Sequence, residues 1–126
     1  MTELLKELFL KENAISGIGA SAILKAAAAI PELTLLDLSS NSLGDEWFEG
    51  LATISLPSLL KLLLYKTNMT NKGLECLCAS FSKMPKLQDL DVEYNSIGDD
   101  GAAALQSALK DGQLGKLKKL KKKAYQ

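Results

Sequence analysis

The sequence lacks two of the residue types on which active sites most often depend. Among its 126 residues there is no histidine, and all 15 basic residues are lysine, so arginine is absent too. Without histidine the chain has neither the side chain that titrates nearest neutral pH nor the commonest metal ligand. Without arginine it has no planar group for a two-point contact with a carboxylate or phosphate. We therefore predict no catalytic residues, no cofactor and no bound metal, and expect that the chain is not an enzyme.

Cysteine and long apolar runs are also scarce. Cys76 and Cys78, the only two cysteines, can form neither a disulfide framework nor a zinc site. They fall where the chain's other predicted helices carry apolar residues, so we expect buried, unreactive thiols. No apolar run approaches the ~20 residues of a transmembrane helix, and Met1-Thr2-Glu3 leads into the first repeat without a signal peptide. Free thiols favour a reducing compartment, and the predicted location is the cytoplasm.

What the sequence does contain is one pattern in four copies. The pattern, L-x-x-L-x-L-x-x-N, begins at Leu5, Leu33, Leu60 and Leu87, and the last two copies have Tyr65 and Val92 in place of its third leucine. It ends each time at an asparagine, and the spacings are 28, 27 and 27 residues between Asn13, Asn41, Asn68 and Asn95. A period in this range indicates units that cannot bury their own apolar faces and must stack on their neighbours.

Each copy predicts a strand, a turn and a helix. Apolar residues alternate with period two before each asparagine, as in a half-buried strand. Small or acidic residues follow, and helices are expected at about 20–30, 46–54, 71–83 and 99–110, with Asp45, Asn71 and Asp99 as N-caps. Each repeated asparagine is expected to bond backbone groups of the next unit. The predicted fold is α/β, a solenoid of four to five repeats with a curved parallel sheet inside and helices outside.

This pattern resembles the leucine-rich repeat, and its period resembles the ribonuclease-inhibitor-like subclass. The resemblance covers about residues 4–112. It implies a single domain over 1–126, with repeats at about 5–32, 33–59, 60–86 and 87–113 and a C-terminal capping strand or basic tail at 114–126. Families with this architecture include ribonuclease inhibitor, the ligand-sensing regions of NOD-like receptors, tropomodulin-like actin cappers and the Ran GTPase activators. What they share is a scaffold, which implies binding rather than chemistry.

The alternation also predicts a partner-binding surface on the concave side of the sheet. Counting back from each asparagine, we predict that the binding residues are Phe9, Leu35, Asp37, Leu62, Leu64, Lys66, Asp89, Asp91 and Glu93. Apolar side chains bordered by charge are typical of protein-binding sites. The expected partner is a protein or peptide with apolar and basic groups; no nucleic acid or membrane is expected. A homo-oligomer that covers the apolar face is an alternative.

The function predicted from this surface is a non-enzymatic scaffold for protein–protein interaction. Two alternatives stay open. One is a GTPase-activator-like regulator of the Ran-activator type, and the other is a truncated or designed repeat fragment without a native partner.

Asn68-Met69-Thr70 also matches an N-glycosylation acceptor. Asn68 is at the same time the repeated asparagine of the third copy, which should be buried. We therefore favour a structural role for Asn68.

The charges of the chain are unevenly distributed. Residues 1–109 contain 8 lysines and 14 acidic residues, whereas residues 110–126 contain 7 lysines and one aspartate. A basic tail of this kind is typical of binding to nucleic acid or an anionic membrane. If Leu117 and Leu120 instead begin a fifth repeat, three lysines of that repeat fall beside three acidic residues of the fourth: Lys119, Lys121 and Lys123 beside Asp89, Asp91 and Glu93. We predict a terminal strand within 117–123, with a free tail as the alternative.

Overall fold

The computed structural model of the chain describes residues 7–11 and 17–123. Its strands form one parallel sheet in chain order: β1 (Glu7–Phe9), β2 (Leu35–Asp37), β3 (Lys61–Leu63), β4 (Asp89–Asp91) and β5 (Lys119–Lys121). A helix lies between each strand and the next: α1 (Gly17–Ala28), α2 (Asp45–Leu51), α3 (Asn71–Ser80, extended by a 3-10 turn over Phe81–Lys83) and α4 (Asp99–Lys110). Successive helices pack side by side. The predicted α/β solenoid is confirmed.

The hydrophobic core lies between the sheet and the helices. The strands contribute their inward residues, all at most 1% exposed: Leu36, Leu38, Leu62, Leu64, Leu90 and Val92. The largest buried side chains on the helical side are Trp47, Phe48 and Phe81. The indole Nε1 of Trp47 donates to the carbonyl oxygen of Ala20 at 2.9 Å and so links α2 to α1. Because each unit packs against its neighbours, this core is continuous along the stack.

The third repeat differs from the sequence prediction by one residue. Leu62 and Leu64 were expected on the concave face, but both are 0% exposed in the core. The register pairs Leu36 with Leu62 and Leu62 with Leu90, and all three point inward. The placement of Leu62 and Leu64 on the surface is therefore wrong. A shift of one residue exchanges the two faces of a strand, since side chains alternate with period two.

The cause of the shift is that Thr67, not Asn68, occupies the repeated polar position. Thr67 is 0% exposed and donates its hydroxyl to the carbonyl oxygen of Leu64 at 3.2 Å. Asn41 and Asn95 donate their amides to the corresponding carbonyls, those of Leu38 and Val92, at 3.0 Å each. In all three repeats the residue just before this position has a positive φ: Ser40 (59°), Lys66 (54°) and Tyr94 (55°). We call Asn41, Thr67 and Asn95 the ladder residues.

Asn68 is exposed and lies outside the ladder, with a φ of 63°. The argument that burial gives it a structural role is therefore wrong.

Two of the ladder residues, Asn41 and Asn95, connect their unit to the one before it rather than to the next. The Asn41 amide donates to the carbonyl oxygen of Leu10 at 2.7 Å. The Asn95 amide donates to the carbonyl oxygen of Leu64 at 2.9 Å. The Asn95 Oδ1 accepts from the backbone N–H groups of Thr67 and Met69 at 2.9 and 3.0 Å. One buried amide thus satisfies backbone groups of two units.

Two of the three predicted N-caps, Asp45 and Asn71, also connect neighbouring units. Asp45, Asn71 and Asp99 are the first residues of their helices, and the N-caps are Gly44, Thr70 and Gly98. Instead of capping its own helix, Asp45 accepts from the backbone N–H and the hydroxyl of Thr70 at 3.0 and 2.6 Å. Asn71 accepts from the N–H groups of Gly98 and Gly101 at 2.8 and 3.1 Å. Each of these two side chains therefore holds the start of the following helix.

A fifth strand is present in the predicted register. β5 pairs with β4 so that Lys119 lies opposite Asp89, Leu120 opposite Leu90 and Lys121 opposite Asp91. The N–H of Tyr94 donates to the carbonyl oxygen of Lys123 at 2.6 Å, so the pairing continues two residues further. Within residues 7–11 and 17–123, no helix is long and apolar enough to cross a membrane.

Candidate protein-binding face

The concave face is the side of the sheet turned away from the helices, and three rows of side chains cross it. The strand register defines a first row of Glu7, Leu35, Lys61, Asp89 and Lys119. The second row contains Phe9, Asp37, Leu63, Asp91 and Lys121. Backbone hydrogen bonds beyond the strands extend the same register to a third row of Lys11, Ser39, Tyr65, Glu93 and Lys123. Neighbouring side chains within a row stand ~4.8 Å apart, the spacing of paired strands.

The apolar part of this face is smaller than expected and differently composed. Phe9 is 61% exposed, whereas Leu35 faces the same side but is 8% exposed. In the third repeat the concave residues are Lys61, Leu63 and Tyr65 in place of the predicted Leu62 and Leu64. Lys66 is exposed and lines the same hollow as Tyr65. The structure therefore brings Phe9, Leu35 and Lys66 to this face together with residues that were not predicted.

Two carboxylates flank Leu63 in the second row. Asp37 is 8% exposed, and its Oδ1 accepts from the backbone N–H of Ser39 at 3.0 Å. Asp91 makes the same contact with the N–H of Glu93 at 3.0 Å. Burial raises the pKa of Asp91, and the charges of Glu93 and Asp37 raise it further, against the hydrogen bond from the Glu93 N–H and the charge of Lys121. The ionised form of Asp91 therefore lacks full compensation within the folded chain.

Lysines border these carboxylates. The Nζ of Lys61 lies 3.8 Å from Asp89 Oδ2, with 52% of the lysine side chain exposed, so the pair contributes little to stability. Lys119 and Lys121 are exposed on the outermost strand. A hollow of about 240 Å³ is lined by residues of four strands: Leu35, Lys61, Leu63, Asp89, Leu90, Asp91, Lys119 and Lys121. Acidic, basic and apolar groups thus meet at one place on the sheet.

Aromatic side chains lie at the carboxyl ends of the strands. The rings of Tyr65 and Tyr94 meet edge to face, with centroids 5.3 Å apart. The Nζ of Lys11 lies 5.9 Å from the Tyr65 centroid, and the Nζ of Lys123 lies 5.9 Å from that of Tyr94. Both tyrosines are half-buried. Rings with one apolar and one polar end are enriched at protein interfaces.

A signal for the correct third repeat was present in the prolines. Pro31 and Pro85 each stand two residues before the first leucine of their repeat, Leu33 and Leu87. The same offset from Pro57 gives Leu59, not Leu60. Counting from Leu59 places Leu62 and Leu64 inward and Thr67 at the ladder. The asparagine pattern concealed this, because an asparagine happens to follow Thr67.

The cysteines are half-buried rather than buried. Burial, and to a lesser extent the charge of Glu75, raises the pKa of the Cys78 thiol to about 11. The pKa of Cys76 is raised as well, mainly by burial. A thiol with a raised pKa is a poor nucleophile at neutral pH. Among the described residues no three His, Cys, Asp or Glu side chains are grouped so as to hold a metal ion.

Comparisons with known proteins find the same kind of repeat. A family model described as Leucine Rich repeat matches residues 31–46 and 83–105. Ribonuclease inhibitor of Mus musculus is 31% identical over 108 residues, which cover 83% of this chain and 24% of the inhibitor. Protein NLRC5 of Ictalurus punctatus is 27% identical over 88 residues, 68% of this chain and 5% of NLRC5. The structure of leiomodin-1 actin-binding site 2 superposes with a TM-score of 0.79 at 16% identity, over 93% of this chain and 69% of that one, and shows the same fold.

The parallel sheet, the ladder residues and these matches define a leucine-rich repeat solenoid. Within that class, the chain is a leucine-rich repeat protein of the ribonuclease-inhibitor-like kind. It spans less than a quarter of the length of either named relative, at 24% and 5%.

Proposed function

We propose that the chain is a non-enzymatic protein-binding module whose partner contacts the concave face of the sheet. The observation that supports this most directly is the second row, where Phe9, Leu63 and the carboxylates of Asp37 and Asp91 stand side by side. An apolar centre with charges at its border is how protein interfaces are usually built. The names of ribonuclease inhibitor and of leiomodin-1 actin-binding site 2 each state that the protein acts on another protein, which supports the proposal.

The proposed partner carries apolar and basic groups. A lysine or arginine of the partner above Leu63 lies between Asp37 and Asp91, each one strand away at ~4.8 Å. Its aliphatic stem covers Leu63, and its charge compensates an Asp91 carboxylate whose pKa is raised by burial. Nucleic acid and membrane are not expected at this acidic centre. Free thiols and protein binding together favour the cytoplasm.

Site-specific photo-crosslinking tests the proposal. A photoreactive amino acid replaces Tyr65 on the concave face in one variant and Ala103, an exposed residue of α4, in the other. In cytosolic extract we expect a discrete heterologous protein adduct from position 65 but not from position 103. The adduct should disappear when Leu63→Glu is added and persist when Lys86→Glu is added. Equal labelling from both positions would contradict the proposal, and an adduct of twice the chain's own mass would assign the face to a homo-oligomer.

A further inference from the structure

The outer edge of β5 differs from the concave face in both geometry and charge. β5 is the last strand of the sheet, so one of its edges pairs with β4 and no strand of the described residues pairs with the other. Residues 116–123 contain six exposed lysines and no acidic residue: Lys116, Lys118, Lys119, Lys121, Lys122 and Lys123. Only three of these stand beside the acidic residues of β4.

The backbone N–H groups at this edge continue the hydrogen-bonding pattern by which each strand of the sheet pairs with the next. Along the sheet, alternate residues donate their N–H to the next strand: that of Leu38 reaches the carbonyl oxygen of Leu63 at 3.0 Å, and that of Leu64 reaches Asp91 at 2.8 Å. The N–H of Val92 reaches the carbonyl oxygen of Lys121 at 2.8 Å. Lys122 lies opposite Val92 in the continued register, so its N–H points to the open edge.

The chain shows which kind of strand pairs with these lysines. β4 reads Asp89-Leu90-Asp91 and continues Val92-Glu93, so that its acidic residues alternate with apolar ones. Its acidic residues face the concave side next to Lys119, Lys121 and Lys123, and its apolar residues point inward. A strand with the same alternation on the other edge of β5 meets the same lysines from the opposite side. Opposite charges on adjacent strands attract, and like charges repel.

We propose that the outer edge of β5 binds an extended acidic segment of a partner protein as a sixth parallel strand. Lysines on an open edge discourage pairing with most strands, and in particular with the lysine-rich β5 of a second copy. A segment with acidic residues at alternate positions is instead attracted, because its carboxylates lie beside the lysines of β5. Binding by strand addition takes its affinity from the backbone and its selectivity from alternate side chains.

An NMR titration of the ¹⁵N-labelled chain tests the proposal, with a synthetic peptide that has the sequence of residues 87–95 as the probe. The control peptide has the same composition but places its three acidic residues consecutively. We expect saturable shifts of the Leu120 and Lys122 amides with the first peptide and roughly tenfold weaker binding of the second. The Lys119→Gln/Lys121→Gln double variant should also lose roughly tenfold. The Lys25→Gln/Lys86→Gln variant, with the same change of net charge, should retain binding.

A second pair of variants separates strand addition from simple charge attraction. Lys122→Ala and Lys122→Pro remove the same charge, but only proline removes the N–H at the open edge. Since that N–H does not bond to β4, proline is tolerated at this position, and unchanged β3 amide signals check the fold. We expect Lys122→Pro to bind the peptide roughly tenfold more weakly than Lys122→Ala. Equal affinities of these variants would overturn the proposal. Tighter binding of a nine-residue oligothymidylate at the same amides would also overturn it.

Discussion

At the scale of single residues, the ladder position connects the repeats through buried hydrogen bonds. The Asn95 side chain takes part in six of them, with the backbone of residues 64, 67, 69, 92 and 93 and the hydroxyl of Thr67. Asn95 itself is 1% exposed. Buried N–H and C=O groups that lose their partner keep the full cost of desolvation. Since the bonded groups belong to two units, loss of the Asn95 side chain should destabilise both of them.

Replacing Asn95 should therefore destabilise the chain far more than replacing Asn68. We expect Asn95→Ala to lower the free energy of unfolding by about 3 kcal/mol, since it leaves several buried backbone groups without a partner. Asn68→Gly is the control, because Asn68 is exposed and glycine tolerates its positive φ. It should change stability by less than about 1 kcal/mol. Urea denaturation of both variants measures the difference. A larger effect at Asn68 would show that Asn68, and not Thr67, occupies the ladder position of the third repeat.

The titration of Asp91 gives a second prediction at this scale. Its pKa is raised in the folded chain, so the ionised carboxylate is less stable there than in the unfolded chain. Stability linked to Asp91 is therefore highest below its ordinary pKa of about 3.9 and falls as pH rises through the folded value. Asp91→Asn removes this loss and keeps an oxygen for the Glu93 N–H. At pH 7 we expect its melting temperature to be roughly 1–3 °C above that of the unchanged chain.

The pH dependence separates this effect from a general change in packing. At pH 3 the unchanged chain and Asp91→Asn should melt at nearly the same temperature, because Asp91 is then largely protonated. Asp100→Asn is a suitable comparison, since it removes an exposed acidic residue from the first turn of α4 and should lower stability slightly at pH 7. A lower melting temperature for Asp91→Asn at pH 7 would show that its charge stabilises the fold.

At the scale of secondary-structure elements, two glycines leave room for hydrogen bonds between neighbouring repeats. At Gly101, on α4, an added Cβ meets the side-chain oxygen of Asn71 and lies 3.0 Å from Ile97 Cγ2. At Gly73, on α3, it meets the side-chain oxygen of Asp45 and lies 2.8 Å from Met69 Cγ. The same side-chain oxygens accept the hydrogen bonds that hold Thr70 and Gly98. A side chain at either position would therefore displace the oxygen that makes these hydrogen bonds, so glycine is needed at Gly73 and Gly101.

Gly101→Ala tests whether this packing outweighs helix propensity. Alanine is favoured over glycine inside a helix by about 1 kcal/mol, so propensity alone predicts stabilisation. We expect instead a net loss of about 1–2 kcal/mol, because the new methyl group displaces Asn71 from its hydrogen bonds. Gly98→Ala is the control: its added Cβ lies 3.5 Å from Asn71, an ordinary contact, and it should be nearly neutral. Thermal unfolding of the two variants checks the sign.

At this scale the sequence determines most elements but not every register. All four helices and the fifth strand were predictable, because glycine, proline and apolar spacing mark them directly. The surface assignment of Leu62 and Leu64 failed because the repeat was counted back from Asn68, whereas Thr67 occupies the ladder position. The run that starts at Leu59 has leucine at all three positions of L-x-x-L-x-L, but the run that starts at Leu60 has Tyr65 at the third. The roles of Asp45 and Asn71 between repeats were also missed. An aspartate or asparagine at the predicted start of a helix is a credible N-cap in sequence, and only the stacking of units shows that its side chain bonds to the next repeat.

At the scale of the whole molecule, opposite charges are separated along the stack. The first 109 residues have six more acidic residues than lysines, whereas residues 110–126 have six more lysines than acidic residues. The register of β4 and β5 places the two regions in contact. In a solenoid each unit contacts only its neighbours, so the terminal strand opens independently of the centre. We therefore expect the attachment of β5 to depend on charge more than that of the inner strands.

Hydrogen exchange at two salt concentrations tests this dependence. The N–H of Lys119 donates to the carbonyl oxygen of Gln88 at 2.9 Å in the last strand pair, and the N–H of Leu64 donates to that of Asp91 at 2.8 Å in the centre. At low salt both amides should be protected. In 1 M NaCl, where the screening length is about 3 Å, we expect protection of Lys119 to fall roughly tenfold while that of Leu64 is unchanged, because Leu64 lies in a buried apolar core. Unprotected amides throughout 117–123 at low salt would show that the lysine segment does not stay on the sheet in solution. Equal loss at both amides would instead show that the stack opens as one unit.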